Sequence, residues 1–252
     1  MKLVNCGCSF AHGHMGTPLS DYDKVRQPGL PEAKEKGFQS AGWHISQAKK
    51  MAYIDLARNG NSNETIIRTL RTYLHRNDTK DFFVLIGWTH AFRREYMAWD
   101  VNNNHGTFVQ YREIPLKDSL LSKLAKKIHK GRIGPMMVEF NERPNRPLSF
   151  DDHVEFRQYN IMLQTQQLLQ LMGIPYLMYN SCGNEHESTN REVLEIKQQI
   201  DKSRFYNFDG PSHDQYLQQH RDFLSSDGGH PGPLGHKRLA ELLLPHVTKL
   251  LT

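Results

Sequence analysis

Four short apolar runs recur along the chain, Leu3 to Cys6, Tyr53 to Leu56, Phe82 to Ile86 and Tyr176 to Tyr179, each giving way within a few residues to a glycine-containing polar stretch. Such runs predict buried strands, and Phe83, Val84, Leu85 and Ile86 ahead of Gly87 read as a central strand covered on both faces. Between the runs, apolar positions return at helical spacing over Ile45 to Met51, Glu64 to His75, Val154 to Met172, Arg191 to Ile200 and Leu234 to Leu250. Asn63 stands at one helix start, Ser149 to Asp152 supply capping residues and acids before Val154, and the last helix follows Pro231, Gly232 and Pro233. Leu239, Leu242, Leu243, Val247 and Leu250 form one stripe on that last helix.

Alternation of strand and helix predicts an α/β fold, a three-layer α/β/α sandwich around a roughly five-stranded parallel sheet. A ligand site is then expected at the carboxyl ends of the strands. Two segments break the rhythm: residues 14–38, with Pro18, Pro28 and Pro31, read as a long loop, and residues 91–149 read as an insertion of mixed character. The chain shows no internal repeat, and 252 residues allow one large domain or two small ones.

Composition narrows the classes. Mean hydropathy is −0.66, and no apolar run approaches the roughly 18 residues that span a bilayer. Met1 to Phe10 leaves no room for a signal-peptide core, and three cysteines, an odd number, argue against a disulfide framework, so the expected location is the cytoplasm. The net charge of +5 is small for 252 residues. The densest basic stretch, Lys117 to Arg132, carries Leu120, Leu121, Leu124 and Ile128 at helical spacing and reads as an amphipathic helix with a solvated face. Nucleic acid is therefore not the expected partner, although that helix remains the place where a polyanion would bind.

Chemistry concentrates just after the strands and in the last loop. Ser9 follows the first strand and Gly7, where the amides of a helix start stabilise an oxyanion; a lone glycine and serine at this spacing reads as well as a helix cap. A base for that serine is offered by His230, with Asp227 three residues before it to orient the imidazole. Cys8 offers a thiol in place of the hydroxyl, but alternation from a strand points Cys8 and Ser9 in different directions. His12, His14 and His90 could converge at strand ends, yet no cysteine or carboxylate stands at matching spacing, so no metal site is expected.

Taken together these residues resemble the SGNH (GDSL-like) hydrolase family, through four separated blocks over nearly the whole chain. The first is Gly7, Cys8, Ser9 and Phe10; the second runs from Asp55 to Asn63; the third is Gly87, Trp88, Thr89 and His90; the last runs from Asp227 to His236. The resemblance implies a flavodoxin-like fold in a single domain over 1–252, with Ser9 as nucleophile, His230 as base and Asp227 as its acid. It further implies an oxyanion hole from the amides of Ser9 and Gly60, completed where many relatives carry asparagine by the Thr89 hydroxyl, and no cofactor. Cys8 also departs from the family, which has aspartate there. The glycine, tryptophan, threonine form of the third block, followed by Arg93, Arg94 and Glu95, is similar to bacteriophage-encoded members, which would place the protein in a host cytoplasm.

The implied reaction is hydrolysis of an ester, an O-acetyl or other acyl group on a carbohydrate or small molecule, through an acyl-enzyme on Ser9. The alternatives are an acyltransferase using the same triad and a non-catalytic phage structural or binding protein that retains the fold. Asn63, Trp88, Arg93 and Arg94 are candidate substrate contacts, with Trp88 and Trp99 reading equally as core or lid anchors. His236 reads as a cap or packing residue, and the 91–149 insertion as a lid or an oligomer contact.

Overall fold

The computed structural model describes residues 1–13, 39–100, 105–112, 150–183, 187–225 and 228–252, with backbone alone for 94–100, 105–112 and Phe150. The expected loop at 14–38 and basic helix at Lys117 to Arg132 lie outside these residues. Among the described residues there are seven strands: β1 (Lys2–Gly7), β2 (Ala52–Asp55), β3 (Phe82–Trp88), β4 (Arg93–Asp100), β5 (His105–Arg112), β6 (Tyr176–Asn180) and β7 (Phe205–Tyr206). The α-helices described with them are α1 (Ser9–His12), α2 (Ala41–Ala48), α3 (Asn63–Arg76), α4 (Phe150–Leu171), α5 (Arg191–Gln198), α6 (His213–Gln219) and α7 (Pro233–Leu250).

Five strands form one sheet in the order β2-β1-β3-β6-β7, and every pairing in it is parallel. Side-chain alternation divides this sheet between two cores. Val4, Val84, Ile86, Trp88, Tyr176 and Met178 pack with Ile66 and Leu70 of α3, Met162 and Leu169 of α4, and Val193 and Ile196 of α5. Leu3, Phe83, Leu85, Leu177 and Tyr179 point the other way, onto Ala41 and Ile45 of α2 and Leu239, Leu243 and Val247 of α7. The three expected layers follow directly: a sheet apolar on both faces needs a helical layer on each.

Strand order places the site. From β1 the chain crosses to β2 on one side and then returns to β3 on the other, so the topology reverses between β1 and β3 and a crevice opens at their carboxyl ends. Ser9 and Thr89 stand just past those two ends.

Several local readings shift. The cap of α3 is Ser62, whose hydroxyl accepts from Thr65 N–H at 3.2 Å, and Asn63 is the first helical residue. Helix α2 begins at Ala41, earlier than Ile45, capped by Ser40; its first turn holds Ala41 and Gly42, too small to show as an apolar stripe. Part of the 91–149 insertion is an antiparallel hairpin, β4 against β5, registered from Arg93 opposite Arg112 to Asp100 opposite His105. Among the described residues, no helix is long and apolar enough to cross a membrane.

Candidate active site

Strand β1 turns into α1 within a single residue. A Cβ on Gly7 would stand 2.4 Å from the Cβ of Ala11 and 3.0 Å from the carbonyl oxygen of Gly87, so only glycine lets the chain reverse this tightly beside β3. Gly7→Ala is expected to cost about 1–3 kcal/mol of stability, measured as a lowered denaturant midpoint at constant m. Cys8 then caps α1 in extended conformation and Ser9 is the first helical residue, so the Ser9 amide has no carbonyl within its own helix.

Ser9 Oγ lies 3.0 Å from His230 Nε2, although 221 residues separate them in sequence. The loop carrying the imidazole is pinned on both sides: Ser225 N–H donates to the carbonyl of His230 at 2.8 Å, and Gly232 N–H to that of Phe223 at 2.7 Å. Leu224 and Pro231 pair as an isolated antiparallel bridge across it. The Phe10 ring packs on the His230 imidazole with centroids 5.3 Å apart, limiting how far the ring swings from Ser9. Asp227 lies outside the described residues.

The loop after β2 is tied to the same strand end. Arg58 N–H donates to the Gly7 carbonyl at 3.1 Å and Asn61 Nδ2 donates to it at 2.9 Å. Gly60 lies between these two anchors at φ +76°, the left-handed region that glycine enters without strain. The turn that supplies Gly60 is thereby held against the turn that supplies Ser9.

The other candidates fall around this pair as follows. The Thr89 side chain is fully buried and its hydroxyl donates to Cys182 Sγ at 3.9 Å, so it is turned to the sulfur rather than presented as an oxyanion donor. Asn63 spends its amide on Thr89, accepting from the Thr89 N–H at 3.0 Å and donating to the Thr89 carbonyl at 3.1 Å, which fixes the end of β3 and leaves little for a substrate. Trp88 is wholly enclosed in the first core, as a core anchor and not a substrate platform. Arg93 opens β4 half-buried, and the side chain of Arg94 lies outside the described residues.

Cys8 is fully buried, with no exposed thiol to act as a nucleophile. Its thiol shares a hydrogen bond with that of Cys182; that bond, with the Arg93 guanidinium and the Phe10 amide, holds Cys8 below the ordinary thiol range, while the same bond and burial hold Cys182 above it. His12 does not join His90: its Nδ1 lies 2.7 Å from Asp55 Oδ2. Asp55 also accepts from Asn5 Nδ2 at 3.0 Å and Ala57 N–H at 3.0 Å, while Asn5 Nδ2 reaches the Ala11 carbonyl at 2.8 Å. This partly buried network, not flagged in the sequence, anchors the single turn that carries Ser9. Asp55 opens the second block, and that position was the one available signal for it.

No family model matches the chain, and no curated protein matches it. Among solved structures it is similar to the psychrotrophic esterase EstA from Pseudoalteromonas sp., at 10% identity over 99% of this chain and 98% of that one, with a TM-score of 0.47. It is similar also to a mutant of an acetyl-xylooligosaccharide esterase from Geobacillus Stearmophilus, at 14% identity over 98% of this chain and 93% of that one, TM-score 0.42. A lipase/acylhydrolase from Enterococcus faecalis is 12% identical over 98% of this chain and 95% of that one, TM-score 0.41. At such identities and TM-scores these likenesses assign no activity to this chain.

Proposed function

We propose that the protein is a serine esterase of the SGNH (GDSL-like) type, acting on a small acyl ester such as an O-acetyl group on a carbohydrate or small molecule. The observation that carries this reading is the 3.0 Å contact between Ser9 Oγ and His230 Nε2, formed at the topological switch point from opposite ends of the chain. That distance is within hydrogen-bond reach of a nucleophile and its general base.

In the proposed reaction Ser9 Oγ attacks the ester carbonyl as its proton passes to His230 Nε2. The tetrahedral intermediate collapses, the carbon–oxygen bond to the alcohol breaks, and His230 returns the proton to the leaving alkoxide. Water, deprotonated by the same imidazole, then releases the acyl group and restores Ser9. The amides of Ser9 and Gly60 receive the oxyanion. Thr89 contributes by position, its backbone clamped by Asn63, rather than through its hydroxyl. Asp227 takes the orienting role at His230. With Ser9 and His230 in one site, residues 1–252 form one domain on this reading, and the third block of Gly87, Trp88 and Thr89 aligns it with phage-encoded members.

A fluorophosphonate probe tests the assignment without knowledge of the substrate. Covalent labelling is expected at Ser9, with none in Ser9→Ala and strongly slowed labelling in His230→Ala. A folded wild-type protein that takes up no probe would remove the proposal.

A further inference from the structure

Beside the esterase reading, and independent of it, a second group of reactive side chains meets at the carboxyl edge of the sheet. His90 follows β3, Cys182 follows β6 and Asp214 lies in the first turn of α6, and one ligand atom from each falls within 4.8 Å of the other two. No spacing in the sequence links them, since 92 residues separate His90 from Cys182 and a further 32 separate Cys182 from Asp214.

Each of the three is already oriented by partners outside the trio. His90 Nδ1 lies 3.0 Å from the carbonyl oxygen of Gly183, which can only accept, so Nδ1 carries the hydrogen and Nε2 presents a lone pair in the neutral ring. Fixing one ring nitrogen on a backbone carbonyl is the usual way a ligating imidazole is held. Asp214 Oδ1 accepts from the amides of Gly183 and Gln215, both at 2.9 Å, and from the Ser212 hydroxyl, which locks the carboxylate and leaves Oδ2 available. Cys182 Sγ receives the Thr89 hydroxyl at 3.9 Å and shares a hydrogen bond with the Cys8 thiol, so a cation binding there displaces the Cys182 thiol proton. The sulfur is enclosed while His90 and Asp214 are partly exposed, which gives an ion a way in.

We propose that His90, Cys182 and Asp214 form a binding site for a zinc-class divalent cation, with the fourth position left to water. Tetrahedral zinc with one sulfur, one nitrogen and one oxygen ligand requires ligand separations of about 3.3–3.6 Å. The three atoms need to draw in by roughly 1 Å from their upper separation, within the reach of small side-chain rotations. A thiolate and an imidazole select a borderline ion such as zinc over magnesium or calcium, which take oxygen ligands. Two anionic ligands and one neutral one leave a bound dication with no net charge, so its burial beside the half-buried Arg93 is not opposed by excess charge. Bound there, the ion cross-links the loops after β3 and β6 to the start of α6, directly behind Thr89.

Cobalt(II) added to the purified full chain is the probe. The expected result is a near-ultraviolet thiolate-to-cobalt charge-transfer band saturating at one equivalent, displaced by zinc, with a melting temperature that rises with zinc concentration. Cys182→Ser is expected to abolish the band, and His90→Ala to weaken affinity by about 100-fold or more. Ser9→Ala, Cys6→Ser and Cys8→Ser are expected to retain the band, which separates this site from the proposed catalytic one. Absence of a charge-transfer band in the wild type, its persistence in Cys182→Ser, or its loss in Cys8→Ser would overturn the proposal. Should Cys182→Ser not fold, unchanged affinity in the partly exposed His90→Ala overturns it equally.

Discussion

Hydrolysis of a small activated ester such as nitrophenyl acetate is expected to fall by on the order of 10⁴-fold or more in Ser9→Ala, with the circular dichroism spectrum and melting temperature little changed. Ser9 is the first residue of α1 and among the described residues its hydroxyl bonds to His230, so the substitution removes one hydroxyl and no apolar packing group. His230→Ala is expected to cost about as much, and the double variant no more than either single one, because a nucleophile and its base act as one unit and not as additive contributions. Residual hydrolysis within about tenfold of wild type in Ser9→Ala would place the chemistry elsewhere. Additive losses in the double variant would mean that the 3.0 Å contact is not used in the reaction.

The second large effect is on stability in acid. His213 and His236 are buried, and neither ring nitrogen of either has a hydrogen-bond partner among the described residues. Burial pushes His213 down to about 3, and burial together with the neighbouring His213, His44, His12 and His230 pushes His236 well below its ordinary value of 6.5. In the unfolded chain both rings take up a proton near pH 6.5, whereas in the folded chain they resist it. Below that pH the unfolded state therefore binds more protons, and stability rises with pH and falls on acidification.

Each ring contributes a slope of about 1.4 kcal/mol per pH unit, beginning as the pH drops past the unfolded value and continuing for His213 down to about 3. Urea denaturation between pH 7 and 4 is expected to show this loss. His213→Leu, which removes one of the two protons, is expected to reduce the slope by about 1.4 kcal/mol per pH unit. An unchanged slope in that variant would show that acid sensitivity arises from other groups.

The legible part of the fold was the part written in long apolar runs. Phe82 to Ile86 could only be a strand buried on both faces, and α3, α4, α5 and α7 carried stripes long enough to read. Strand β7 has two residues and α1 has four, too few to show any period. The hairpin of β4 and β5 was hidden for another reason: its pairing joins residues across a turn, and nothing in Arg93 to Asp100 alone names His105 to Arg112 as its partner.

The candidate site divides along the same line. Residue types and order within Ser9, Gly60 and His230 were enough to nominate them, because each belongs to a short block whose neighbours constrain the turn. Thr89 was nominated as a donor from its place in such a block. Where its hydroxyl points depended on Cys182, which arrives from another strand 93 residues later.

By itself the sequence determined the alternation of strands and helices, and with it the parallel sheet and the edge at which chemistry would gather. Apolar spacing is a local property, and burial follows from it wherever the chain goes. Only the tertiary structure decided which side chains share that edge: that Ser9 meets His230, that Asn63 clamps Thr89, and that His90, Cys182 and Asp214 converge. Contacts between residues tens or hundreds of positions apart are set by strand order and crossover, and those arise when two apolar faces of one sheet are covered together.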